Sequence, residues 1–76
     1  MKFTTGNKLN DDQIISLKTF VINYLQSEEY ITNRILRAQT KINYDQAIYF
    51  FNQMISANAL TRIGKGSGTR YVISAL

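Results

Sequence analysis

The stretch from Thr40 to Leu60 constrains this chain more than any other. Asn43 is a favoured helix N-cap, and Gln46 three positions later can return the second hydrogen bond of a capping box. The spacing therefore predicts a helix that begins after Asn43 and runs to Ala57. Ala47, Phe51, Met54 and Asn58 recur at the helical period, with Ile48 and Ile55 widening the stripe, so this face is expected to pack on a core. The other face carries Tyr44, Asp45, Gln46, Tyr49, Phe50, Asn52 and Gln53. A helix that met only solvent would more often carry Lys and Glu there. Planar and hydrogen-bonding side chains crowded into two turns suit contact with another molecule.

The 76 residues suffice for one domain, near the lower size limit for a core without staples. Cys and His are both absent, which excludes disulfides, thiolate or imidazole metal sites and the usual nucleophilic triads. The adjacent acids Asp11-Asp12 and Glu28-Glu29 point about 100° apart on a helix and suit caps and solvated ends better than a catalytic pair. The run Gly64-Lys65-Gly66-Ser67-Gly68 lacks the Walker spacing and precedes a strand, so it reads as a flexible turn. No enzymatic activity, metal or cofactor is expected. No apolar run approaches the roughly 20 residues of a membrane span, and the N-terminus lacks the apolar core of a signal peptide. A cytoplasmic, nucleoid-associated location follows as the expectation.

Net charge is +4, and it is unevenly spread. Residues 1 to 29 hold Lys2, Lys8 and Lys18 against Asp11, Asp12, Glu28 and Glu29, whereas residues 30 to 76 hold Arg34, Arg37, Lys41, Arg62, Lys65 and Arg70 against Asp45 alone. A positive half of this kind attracts phosphate polyanions and gains affinity from counterion release.

In chain order, residues 1 to 9 lack periodicity and read as a flexible N-terminal arm, ahead of a single domain over residues 10 to 76. Asn10-Asp11-Asp12-Gln13 repeats the capping logic and predicts a first helix from Asp11 to about Gln26, with Ile14, Leu17, Val21 and Leu25 inward. Ile15, Phe20, Ile22 and Tyr24 make that helix apolar over more than one side. Ile31 suits a strand of one or two residues. Thr32 then caps a second helix from Asn33 to about Gln39, with Ile35, Leu36 and Gln39 inward and Arg34 and Arg37 outward. A three-residue connection, Thr40-Lys41-Ile42, leads to the long helix, which makes a helix-turn-helix. Residues 59–63 and 69–73 read as the strands of a hairpin. The expected fold is α+β: a winged helix-turn-helix of three helices with a C-terminal β-hairpin as the wing.

The chain also resembles a known family, the small gamma domain of FtsK/SpoIIIE-type DNA translocases, a winged helix that reads short oriented DNA motifs. The resemblance is carried by Phe20-Val21, Ile31, Ile42-Asn43-Tyr44-Asp45, Ala47, Gln53-Met54 and Gly68-Thr69-Arg70-Tyr71-Val72, over roughly residues 12 to 73. The run Asp45-Gln46-Ala47-Ile48-Tyr49 is similar to the recognition helix of small winged-helix coregulators of pilus operons. The first resemblance implies double-stranded DNA as partner and basic side chains on the reading face. Gln46 and Tyr49 stand here where arginine is implied, and 76 residues leave no room for a motor.

On this reading Tyr44, Asp45, Gln46, Tyr49 and Asn52 read bases from the major groove. Gln46 is the first choice, because Gln pairs in bidentate fashion with adenine. Arg37, Lys41 and Asn43 at the turn, and Lys65, Ser67, Thr69 and Arg70 in the wing, are expected on the DNA backbone. Such a protein would regulate transcription or organise DNA. The competing expectation is a protein-interaction module without direct DNA binding, forming a homodimer or gripping a regulatory protein through Phe20, Tyr24 and Phe50, since exposed aromatics mark interfaces.

Overall fold

Three helix starts are fixed by side chains that satisfy otherwise orphaned backbone N–H groups. In the computed structural model, which describes residues 9–74, Asn10 and Gln13 form a reciprocal capping box (Gln13 N to Asn10 Oδ1 2.8 Å, Asn10 N to Gln13 Oε1 2.9 Å). That box opens α1, Asp11–Tyr24. The hydroxyl of Thr32 accepts from the Ile35 N–H at 3.1 Å and opens α2, Asn33–Thr40. A second capping box, Asn43 with Gln46, opens α3, Tyr44–Ser56.

The helix ends are equally specific. Lys41 closes α2 in the left-handed conformation, φ 67°, with its N–H on the Arg37 carbonyl. Asn58 plays the same part after α3, φ 62°. Its N–H bonds to the Ile55 carbonyl at 3.0 Å and that of Ala59 to the Met54 carbonyl at 2.8 Å, the pair of bonds that defines a Schellman cap. The sequence pattern put Asn58 on the buried stripe; it is instead the exposed residue that stops the helix.

Strands β1, Leu60–Ile63, and β2, Arg70–Ile73, pair antiparallel in the register Leu60 with Ile73 and Arg62 with Tyr71. One 3-10 turn, Gly66–Gly68, joins them at the tip. Gly64 has a φ of 76°, and a Cβ there would run into the Gly68 carbonyl oxygen, so the tip needs glycine at this position. On its other edge β2 meets Ile31, whose N–H and C=O both bond to Tyr71 at 2.9 and 2.8 Å. This order of helices with a closing hairpin is a winged helix-turn-helix, an α+β fold as expected.

The core joins Leu17 and Val21 of α1, Leu36 of α2 and Ala47, Phe50, Phe51 and Met54 of α3 to Ile31, Leu60 and Tyr71. Three expectations change here. Leu9, assigned to the arm, is 6% exposed and belongs to the core; the rest of the arm lies outside the described residues. Gln39 is exposed, not inward. Phe50, expected on the outer face as an interaction residue, is 0% exposed. The buried arc of α3 is wide because α1, α2 and the hairpin all press on it, and Phe50 packs edge to face on Phe51 with ring centroids 5.5 Å apart. No helix among the described residues is long and apolar enough to cross a membrane.

If Phe50 is core, Phe50→Ala should cost about 3–5 kcal/mol in urea unfolding. A loss below about 1 kcal/mol would return it to the surface.

Candidate nucleic-acid interface

The outward row of α3 follows from its buried arc. Asp45, Tyr49, Asn52 and Ser56, spaced four, three and four residues apart, lie on the side opposite Ala47, Phe51 and Met54. Asp45, Asn52 and Ser56 are exposed and Tyr49 is half-buried. Tyr44, at the first helical position, is 57% exposed. The row presents a carboxylate, a phenol, an amide and a hydroxyl, enough to hydrogen-bond the edges of base pairs. Ser56 was not among the expected contacts, although the spacing from Asn52 indicates it.

Gln46 leaves this set. Its side chain is 5% exposed, and its Oε1 accepts from the Asn43 N–H at 3.0 Å while its own N–H donates to Asn43 Oδ1 at 2.7 Å. The residue type suited both a cap and a base contact, and the cap takes it, because the buried Gln46 side chain satisfies the otherwise orphaned Asn43 N–H. Asn43 is exposed, with its side-chain oxygen committed to the same cap.

The backbone candidates divide into free and engaged side chains. Lys41 is exposed at the turn, and Lys65 and Ser67 are exposed at the wing tip. Arg37, expected to point away from the fold, is half-buried: its Nε donates to Asn33 Oδ1, and its guanidinium lies 5.6 Å from the centre of the Tyr44 ring. Asn33 Nδ2 in turn donates to the Tyr44 carbonyl at 3.5 Å, so α2 holds the first residue of α3. Thr69 is half-buried and its hydroxyl donates to the Gly66 carbonyl at 3.0 Å, inside the wing. Arg70 is exposed, reaches the Gly68 carbonyl at 3.4 Å and sits 5.0 Å from the centre of the Tyr30 ring.

Between α2, the start of α3 and the wing lies an open groove of about 590 Å³. Arg34, Arg37, Tyr44, Arg62, Ser67 and Thr69 contribute to its wall, and no Asp or Glu does. It thus combines three guanidinium groups with no carboxylate to offset them. Arg34 and Arg62 were not singled out from the sequence. Both were within reach: Arg34 is three residues from Arg37 on the same helix, and Arg62 pairs across the hairpin with buried Tyr71, which turns it to the inner face.

On α1 the proposed partner surface is smaller than its composition indicated. Phe20 and Tyr24 are half-buried against the core with ring centroids 5.9 Å apart, and only Ile15, 61% exposed, leaves a large apolar side chain in solvent there. Among the described residues no group of three or more His, Cys, Asp or Glu could hold a metal ion.

No family model and no curated protein matches the chain. Among solved structures, the DIP2311 protein from Corynebacterium diphtheriae is similar, with a TM-score of 0.73 at 12% identity. The likeness covers 87% of this chain but 13% of that one, and at this identity it is a likeness of fold.

With Gln46 committed to the cap, Gln46→Ala should lower stability by about 1 kcal/mol, and Gln46→Glu, which can still complete the box, should restore most of it. Urea unfolding of the two variants checks this; a Gln46→Ala protein as stable as the parent would contradict the buried cap.

Proposed function

We propose that this chain binds double-stranded DNA, with α3 in the major groove and residues 64 to 70 of the wing along the backbone. The observation that carries the reading is the pairing of an outward polar row on α3 with an acid-free basic groove beside it. Asn52 is the leading base contact in place of Gln46, since Asn also pairs in bidentate fashion with adenine. Tyr44, Tyr49 and Ser56 add contacts to thymine methyl groups or phosphates, and Asp45 accepts from cytosine. Lys41, Lys65, Ser67 and Arg70 meet the backbone, with Arg37, Asn43 and Thr69 shaping the surface behind them. Binding of this kind serves transcriptional regulation or the organisation of DNA on the nucleoid.

The second reading is a protein-interaction module, a homodimer or a regulatory complex formed through α1. Its support is Ile15 in solvent on α1, together with the half-buried rings of Phe20 and Tyr24 on the same helix. Salt separates the two classes, because an apolar interface does not weaken as counterions are added.

Titration of a duplex pool at about 50 and 200 mM salt should show affinity falling tenfold or more if two or more phosphates are contacted. Asn52→Ala should cost about 1–3 kcal/mol on the preferred site and relax one base-pair preference, leaving the salt slope alone. Lys65→Ala should weaken all sequences alike and make the slope shallower by about one. Salt-independent binding, or none at micromolar protein, would sink the reading.

A further inference from the structure

We propose that the basic groove between α2 and the wing, whose charge the duplex reading uses, also takes an unpaired strand in place of the duplex. The inference goes beyond duplex binding and rests on two tyrosines. Tyr30, from the segment just before α2, and Tyr44, from the first turn of α3, both line the groove, and they are 37% and 57% exposed. Each ring carries an arginine: Arg70 lies 5.0 Å from the centre of Tyr30, and Arg37 lies 5.6 Å from the centre of Tyr44. Arg34 and Arg62 line the groove beside Arg37, and no carboxylate lines it.

A lone exposed tyrosine is ordinary. Two in one concave, acid-free groove, each beside a guanidinium, supply the two elements that hold a single strand: aromatic faces for bases and positive charge for the linking phosphates. Duplex DNA cannot use the first of these. Its base faces are covered by their neighbours, so the flat faces of the two rings can stack only on bases already out of the stack. Gly66, Ser67 and Thr69 of the wing line one side of this groove, and Tyr44 is held on the other through Asn33 and Arg37. Because Arg37, Tyr44, Ser67 and Thr69 also belong to the proposed duplex surface, a strand and a duplex exclude one another here.

The test is fluorescence anisotropy of labelled oligothymidylate and oligouridylate at low salt, with the parent protein and three variants whose folding is checked by thermal melting. Tyr30 and Arg34 are chosen because both line the groove and neither is assigned a base or backbone contact with the duplex. Tyr30→Leu should weaken strand binding by at least about fivefold, the lower end of one base-aromatic stack, and Tyr30→Phe should keep it. Arg34→Ser should make the salt slope for the strand shallower by about 0.7, one phosphate's share. Binding of either strand with this Tyr30 dependence supports the site, and the tighter of the two names the sugar it takes. No strand binding at micromolar protein, a folded Tyr30→Leu that binds as well as the parent, or equal binding of polyglutamate would overturn it. If a duplex binds and the strands do not, this site fails while the duplex reading stands; if strands bind and duplexes do not, the reverse holds.

Discussion

Tyr71 ties the candidate surface together. Its ring lies parallel to that of Phe51, with centroids 3.8 Å apart and an interplanar angle of 2°, so β2 is fastened to the inner side of α3. Its backbone exchanges both hydrogen bonds with Ile31, the residue that leads into α2. Across the hairpin it faces Arg62. One buried residue therefore sets the distance between α3, the entry to α2 and the wing. Stacking adds about 0.5–1.5 kcal/mol beyond area burial, but the geometric role is the larger consequence. A groove walled by α2 and the wing keeps its width only while both are anchored to the same point.

The charge distribution follows the same division. The acids Asp11, Asp12, Glu28 and Glu29 belong to α1 and the segment after it, whereas Arg34, Arg37 and Arg62 converge on the groove. Asp45 is the exception, in the first turn of α3, where the helix dipole favours it. It would repel a phosphate and suits a base-edge donor better, as the proposed base contacts of this row require. The two sides of α3 thus divide their work by polarity: Asp45, Tyr49, Asn52 and Ser56 outward, Gln46, Ala47, Phe50, Phe51 and Met54 inward.

Much of the fold was legible because it is written in local chemistry. Asn10, Thr32 and Asn43 mark helix starts within hydrogen-bond reach of their partners, and the glycines of the wing tip mark the hairpin. Ile31 was legible as a short strand for the same reason, an isolated β-branched residue between two helices. What depends on the neighbours was not. Gln46 satisfies the pattern of a cap and of a base reader, and only burial decides between them. Phe50 sits one residue before a core position, and whether the buried arc reaches it depends on how many elements press on α3. Asn58 extends the helical period on paper, yet its left-handed backbone ends the helix. Arg34 and Arg62 come from elements far apart in sequence, so their convergence on one groove is a tertiary fact.

The most direct measurement is residue-resolved amide NMR during titration with a short duplex of random sequence at low salt. Shifts should concentrate at Asp45, Tyr49, Asn52 and Ser56 and across residues 64 to 70, and the amides of α1 from Asp12 to Tyr24 should stay unmoved. Shifts confined to α1 around Ile15, Phe20 and Tyr24, or none anywhere at saturating duplex, would contradict a DNA-reading α3 and wing.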